Sequence, residues 1–481
     1  MKVLVLIIAL FSGSAMAKGF NGDMLVKITP QMKTTVTLSL LNRLPAGTVI
    51  EDLGIGGWTR VKMPAGAVSA FDTTTVLNMP GVVGAENNGT LGLFNNYKVQ
   101  DARIRAELQR LYPNGLGDMP APDNPEIPMS GSGGVGSDPM FNRQWGMNQM
   151  GVTTGWSVTK GNPEVIVGVI DTGVDYTHED LVDNMWRNMG EVPGNGVDDD
   201  GNGYIDDIVG WDFAANDNKP YDLTANMMDM LLSGGNPGHG THCAGNVAAR
   251  GDNGKGIAGV APNVRIMALR FISEKGQGTT ADAIKAIKYG IDNGAKVLSN
   301  SWGSTGDDGG EESRALQEAI QYSQDRGVLF VAAAGNGDQQ GKGYDNDTNS
   351  APAFPATYTH DIIVSVAAIA EDGNLGTFSN WGARSVDLGA PGVKVFSTVT
   401  QSEKYSDTVI DIPGLITATW DGTSMATPHV AGAAALYISA YPEKSWMEVK
   451  QALLNSVKRT PVLGGKTVSG GQLDVQSLMR F

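Results

Sequence analysis

The chain has 481 residues, of which 41% are apolar and 18% charged, with 64 glycines, a single cysteine and a formal charge of −16. One cysteine excludes an internal disulfide framework, the apolar content excludes a disordered chain, and the acidic balance argues against a nucleic-acid partner. The length accommodates about two to four domains, each able to bury its own core. The acid is concentrated: from Asp171 to Asp222 there are 14 acidic residues against two basic ones, a local charge of −12. Such density suits either a solvated acidic loop or a site for hard cations such as calcium.

The N-terminus reads as an export signal, residues 1–17. Lys2 is followed by an apolar run from Val3 to Phe11 and by Ala15-Met16-Ala17, a small-x-small cleavage pattern. The run is too short for a bilayer, which needs about 20 apolar residues. Residue 18 is Lys rather than Cys, which argues against a lipid anchor. The mature protein is therefore expected to be secreted or periplasmic, with no membrane span.

From Met24 to about Tyr97, short apolar runs alternate with polar turns, predicting a small α+β unit within residues 18–112. Residues 113–139 are rich in Pro, Gly and Ser and predict an exposed linker. From 140 to 481 the pattern changes. Apolar runs at 165–170, 265–271, 296–301, 328–334 and 361–368 read as strands, and 281–294 and 315–327 read as amphipathic helices closed by glycine. This alternation predicts an α/β domain with a mostly parallel sheet between helices.

In open α/β sheets the chemistry gathers beyond the carboxyl ends of the strands. Asp171-Thr172-Gly173 follows the first run, and Gly335-Asn336 follows the fourth. His239 and Ser424 each stand just before a helix-like stretch. Pro428, four residues after Ser424, places the serine at a helix N-terminus, where free N–H groups favour an oxyanion. A serine needs a base to become a nucleophile, a neutral imidazole can serve, and a buried carboxylate can fix its tautomer. Taken singly, an Asp after a strand is more often a turn residue and a Ser before a helix more often a cap. Together they supply a nucleophile, a base, an orienting acid and, at Asn336, an amide donor.

These residues stand in motifs that resemble the subtilisin-like serine proteases, the subtilases. The matching segments are Val169-Ile170-Asp171-Thr172-Gly173, His239-Gly240-Thr241-His242, Asn300-Ser301-Trp302-Gly303, Ala333-Ala334-Gly335-Asn336 and Gly422-Thr423-Ser424-Met425-Ala426-Thr427-Pro428, in the family order. The resemblance implies a three-layer α/β fold preceded by a small α+β propeptide domain, and a secreted serine endopeptidase made as a precursor. It assigns Ser424 as nucleophile, His239 as general base, Asp171 as its orienting acid, and Asn336 with the Ser424 N–H as the oxyanion hole. It implies that an extended peptide adds as a strand along Ser301, Trp302, Gly303, Gly276 and Gly278, with a first pocket walled by Ala333, Ala334 and Gly335 over Ala353. None of these is acidic, so a broad, apolar-leaning preference is expected, and Trp302 is a candidate to narrow a pocket.

The resemblance further implies that residues 18–112 act as an intramolecular inhibitor and folding aid and that polypeptides are the substrates; a monomer is expected, although the sequence itself does not give the oligomeric state. His178, His242 and His429 fall in structural positions, while His360 has no functional reading. No HExxH and no GxSxG is present, which argues against a zinc protease and an α/β-hydrolase. Cys243 reads as a small buried residue beneath His239. Calcium is the expected cofactor, in a structural role. Residues 198–209 resemble an EF-hand loop in Asp198, Asp200, Asn202 and Asp206, but Val209 stands where the bidentate Glu belongs, so Asp207 is a candidate replacement. A second site is implied at Asp180 and Asn253 with the carbonyls of Gly251, Lys255 and Ile257. The competing class is a catalytically silent binding protein of the same fold.

Overall fold

The structure is a computed structural model that describes residues 22–64, 72–94, 138–222, 238–304, 312–338, 341–400, 404–412 and 416–481, with a few isolated positions besides. The signal segment and nearly all of the 113–139 linker lie outside the described residues. The chain divides into two compact units, Met1–Asp52 with Gly57–Asn88, and Leu53–Gly56 with Gly89–Phe481.

The first unit follows a β-α-β-β-α-β path: β1 (Asp23–Ile28), α1 (Lys33–Arg43), β2 (Val49–Asp52), β3 (Trp58–Lys62), α2 (Thr73–Leu77) and β4 (Val82–Asn87). Its sheet runs β2-β3-β1-β4 with antiparallel pairing throughout, the split arrangement of a ferredoxin-like unit. Period-two alternation sends Met24, Val26 and Ile28 into one core with Val36 and Leu40 of α1 and Val76 of α2. Asp72 caps α2 by accepting the Thr75 N–H at 2.7 Å.

The second unit is built on a nine-stranded sheet. Beyond the short β5 (Thr90–Gly92) come β6 (Ile166–Asp171), β7 (Gly210–Asp212), β8 (Arg265–Arg270), β9 (Gln277–Thr279), β10 (Val297–Asn300), β11 (Leu329–Ala333), β12 (Ile363–Ile369), β13 (Leu388–Pro391), β14 (Lys458–Arg459) and β15 (Gly471–Gln472). The sheet order is β14-β15-β13-β12-β11-β10-β6-β8-β7. All its pairings are parallel except the edge pair β14–β15. The central strands β10, β11 and β12 are buried along their whole length, as strands covered on both faces must be.

Helices follow the expected segments: α3 (His239–Ala248), α4 (Thr280–Asp292), α5 (Arg314–Arg326), α6 (Thr423–Ala440) and α7 (Trp446–Asn455). Thr279 and Ser313 cap α4 and α5, and Gly327 closes α5 at φ 71°. α6 is buried from Thr423 to Tyr437, so it runs through the interior rather than over it.

The chain leaves β6 for β8 on one side and later returns to β10 on the other. Strand order therefore reverses at β6, and the carboxyl ends of β6 and β10 flank the resulting crevice, where ligands bind in such sheets. Asp171 ends β6 and Asn300 ends β10. The Asn300 amide donates to both Leu298 O and Val331 O at 3.1 Å, tying β10 to β11 just below the crevice.

Arg270, at the end of β8, lies alongside. It is buried, pairs with the buried Asp212, and gives its Nε–H to Thr172 O at 3.1 Å. Burial pushes the Asp212 carboxyl up and Arg270 draws it back in part. Arg270→Ala leaves an uncompensated buried carboxylate, so a loss of about 3–5 kcal/mol is expected in urea unfolding. A change below about 1 kcal/mol would contradict this account of the pair.

Candidate active site

Two helix N-termini meet the crevice. His239 opens α3 directly behind Gly238, which takes φ 82°. A Cβ on Gly240 would stand 2.0 Å from Gly173 O, so only glycine lets α3 approach the turn after β6. That approach brings the His239 Nδ1 to 2.7 Å from Asp171 Oδ1, both groups fully buried. Asp171 Oδ1 also accepts the Thr172 N–H at 2.7 Å.

Burial alone would lower the His239 pKa. The adjacent Asp171 carboxylate and its hydrogen bond outweigh that and hold it well above the ordinary value. The Cys243 thiol, 3.9 Å from His239 Nδ1, is itself pushed up by burial, so it is neutral near pH 7 and Asp171 is the source of the effect.

Ser424 is the second residue of α6. Its Oγ donates to Ser301 O at 3.0 Å, and its own carbonyl accepts from Ser301 Oγ at 2.9 Å and Cys243 Sγ at 3.4 Å. His239 Nε2 is buried with no hydrogen-bond partner. A rotation about χ1 between staggered wells is what would turn the serine hydroxyl from Ser301 to that nitrogen. Asn336 sits beside the α6 start. Its Oδ1 accepts from Thr423 N at 2.9 Å and Thr423 Oγ1 at 2.8 Å, which leaves Nδ2 as the donor end of the amide.

Both rims of the cleft hold backbone. β5 pairs antiparallel with β9, with Leu91 opposite Gly278. Gly92 and Gly303 exchange N–H···O bonds of 2.9 Å, and Leu93 N–H reaches Gly276 O at 3.2 Å. A segment of this chain thus lies in the cleft as an added strand. Ala333, Ala334 and Ala353 are fully buried beside it, and a Cβ on Gly335 would come within 2.9 Å of Ala353. Trp302 packs among buried aromatic residues. Its side chain is fully buried, edge-on to Phe271 at 4.9 Å and to Phe330 at 6.5 Å, beneath the strand whose backbone faces the cleft.

Three of the remaining histidines are held by carbonyls, whereas His360 Nδ1 is buried with no hydrogen-bond partner. His178 Nε2 meets Lys404 O at 2.9 Å, and His429 Nδ1 meets Met425 O at 2.8 Å with its pKa lowered to about 4 by burial. His242 Nε2 meets Val395 O at 2.9 Å, Asn246 approaches its Nδ1 at 3.3 Å, and the ring stacks on Trp420 at 4.4 Å.

Of the candidate metal ligands, Asp180 is fully buried and accepts from Asn253 Nδ2 at 2.6 Å and Ile257 N at 2.9 Å. Burial raises its pKa to about 6, and nearby Asp138 adds to the rise. Asp138 accepts the N–H groups of Asp252 and Asn253, and the sequence reading had no signal for it.

In the acidic loop, carboxylate oxygens of Glu191, Asp198 and Asp200 lie within 4.8 Å of one another. Asn202 Nδ2 and Asn188 Nδ2 both bridge Asp200 to Asp207, and Tyr289 donates to Asp207. Asp206 departs from the EF-hand expectation. At φ 53° its carboxylate turns to the Asn195 and Gly196 N–H groups, and Glu191, outside the 198–209 register, joins the cluster instead.

The family is shown by sequence. Residues 162–472 match the model of the Subtilase family, peptidase S8, and the chain belongs to it. It is 35% identical to thermitase of Thermoactinomyces vulgaris over 67% of this chain and 91% of that protein. It is 36% identical to a thermophilic serine proteinase of Bacillus sp. (strain AK1) over 64% of this chain, spanning 60% of that relative's length. Fervidolysin of Fervidobacterium pennivorans, whose structure is described as a keratinolytic enzyme related to subtilisin, shares the fold at TM-score 0.65 and 24% identity, covering 96% of this chain and 61% of that one. These relatives are serine endopeptidases of the subtilisin type.

Asp222 is a residue the sequence reading did not single out, because it lies 17 positions before His239. It is fully buried and accepts from Thr172 Oγ1 at 2.9 Å, Gly238 N at 3.1 Å, Thr241 N at 2.9 Å and Thr241 Oγ1 at 2.8 Å. It thereby joins the residue after Asp171 to the N-terminus of α3, fixing the distance between Asp171 and His239. Asp222→Ala is expected to lower kcat about 10²-fold through misplacement of His239, with KM little changed. An unaltered kcat in the folded variant would reduce Asp222 to a cap.

Proposed function

We propose that the chain is a secreted serine endopeptidase that hydrolyses peptide bonds through Asp171, His239 and Ser424, and that it is made as a precursor whose N-terminal unit is an inhibitory propeptide. The observation that carries this is the buried Asp171–His239 pair at 2.7 Å, beside a serine at the N-terminus of a helix.

In the proposed cycle, Ser424 Oγ attacks the substrate carbonyl while His239 Nε2 takes its proton. Asp171, on Nδ1, holds the tautomer and stabilises the imidazolium. The developing oxyanion is received by the Ser424 N–H and Asn336 Nδ2, whose orientation is set in advance by Thr423. His239 then delivers the proton to the leaving nitrogen, and water completes the cycle by the same route. The substrate is an extended polypeptide held by main-chain bonds to Gly276, Gly278 and Gly303. Export rests on the apolar segment and small-x-small site at residues 1–17; among the described residues, no helix is long and apolar enough to cross a membrane.

The base must be neutral to act, and the Asp171 carboxylate holds His239 above 6.5. The acid limb of kcat/KM against pH is therefore expected above 6.5, with activity rising as pH passes through the raised value. Asp171→Asn is expected to lose about 10⁴-fold and to move any residual limb downward. A serine-reactive fluorophosphonate is expected to label the processed wild type and not Ser424→Ala. Absence of labelling on folded, processed protein would favour the silent binding reading.

Calcium fits the two acidic sites. Asp180 accepts from Asn253, the Ile257 N–H and Tyr405, yet burial still raises its carboxyl to about 6, so a cation would relieve its burial. Asp138, Asp180 and Asn253 would hold one ion, and Glu191, Asp198, Asp200 and Asn202 another, in each case binding loops together. Calcium in about 100-fold excess over its Kd is worth about 2.7 kcal/mol per site. Chelation is expected to lower Tm, calcium but not magnesium to restore it, and Asp180→Asn to reduce the shift. An unchanged Tm would remove the calcium assignment.

A further inference from the structure

The segment in the cleft has a fixed register, and that register points to one peptide bond. Gly92 and Gly303 exchange both backbone hydrogen bonds, and the pairing is antiparallel. The bridge is isolated at this pair; continued in the same register, it would put Leu93 opposite Trp302 and Phe94 opposite Ser301. Ser301 O is the atom to which Ser424 Oγ donates at 3.0 Å. The residue facing the nucleophile's own partner is thus Phe94.

Side-chain placement agrees. A Cβ on Gly303 would stand 2.4 Å from the Phe94 ring and 2.3 Å from Phe354 O, so the ring lies over the glycine. Leu93 turns its N–H to the opposite rim, at Gly276 O, and Leu91 is buried to 4% exposure against the β9 side. A slip of one residue would bring Leu93 to Ser301 but would invert every side chain and break all three backbone bonds.

We propose that the first self-cleavage of the precursor is at the Phe94–Asn95 bond. This rests on the protease reading above. Ser424 Oγ bonds to the Phe94 carbonyl carbon as its proton passes to His239. The C–N bond breaks and His239 gives that proton to the Asn95 nitrogen. Water then adds its oxygen and one hydrogen to the acyl carbon, the bond from that carbon to Ser424 Oγ breaks, and water's other hydrogen passes through His239 to the freed Ser424 Oγ. The products are a chain ending in the Phe94 carboxylate and a chain beginning at the Asn95 amine. The cut thus falls before the 112 boundary that composition alone suggested.

The test follows the intact mass and N-terminal sequence of the precursor lacking residues 1–17 as it refolds with calcium, sampled from the earliest times. The wild type is expected to give first a fragment of 18–94 and a partner beginning Asn95-Asn96-Tyr97. Phe94→Tyr is expected to keep that bond. Phe94→Asp places a charge against an apolar pocket and is expected to slow the cut about 10²-fold or move it. A first new terminus anywhere else, a wild type that stays whole while the fluorophosphonate labels it, or an undisturbed cut in Phe94→Asp each overturns the proposal while leaving the protease reading intact. Identical cutting in Ser424→Ala, or no label on wild type, is the separate signature of failure of that reading.

Discussion

Pro428 sits inside α6, where it has no N–H to give to the carbonyl of Ser424 four residues earlier. A buried carbonyl without a donor is costly, and this one is taken by Ser301 Oγ from the strand side and Cys243 Sγ from the helix below. The missing helix bond thus becomes the junction of three segments. α6 brings the serine, the extension of β10 brings the cleft rim, and α3 brings the histidine one turn before the cysteine. Ser301 returns the contact by accepting the serine hydroxyl. Ser424 and the cleft rim are set relative to each other by two hydrogen bonds between the same two residues.

The charge in the site is arranged with equal economy. Asp171, Asp222 and His239 are all removed from water. Asp222 spends its carboxylate on four N–H and hydroxyl donors and stands with a pKa raised to about 6 by burial, whereas Asp171 faces the imidazole. The two acids are divided in role by their partners: one fixes backbone, the other fixes a tautomer. Trp420 closes the arrangement, stacked on His242 and 6.3 Å from His239, so apolar surface covers α3 where it faces the barrel of α6.

The parallel strands, the two amphipathic helices and the placement of Asp171 and Asn336 at strand ends were legible because each depends on a local pattern: an apolar run, a 3.6-residue period, a polar residue just after the run. Pro428 made the α6 start legible through covalent geometry alone. The contributions of Asp222, Asp138 and Glu191 were not, since each is an ordinary acidic residue whose meaning comes from donors far off in the chain. Asp206 shows the converse. Its spacing matched a known loop, but a left-handed φ of 53° points its carboxylate elsewhere, and spacing carries no dihedral information. Trp302 was left open in the sequence for a related reason. A strand exposes alternate faces, and whether the substrate or the core receives the large side chain depends on which neighbours are paired.

The cleft glycines explain why recognition can be broad and still positionally exact. Gly276, Gly278 and Gly303 meet a peptide by main-chain groups that every residue except proline offers in full, so the rims fix register without reading side chains. A side chain at 303 is excluded twice over, since its Cβ would also lie 2.3 Å from Phe354 O. With the rims silent, discrimination in the proposed reading would fall to enclosed side-chain positions: the one beside Ala353 and Gly335, and the one occupied by Leu91. Both are apolar, and burying a charge in either is costly. On the proposed reading, main-chain pairing would set where a peptide lies, and apolar burial at two positions would set which peptides are held long enough for Ser424 to act.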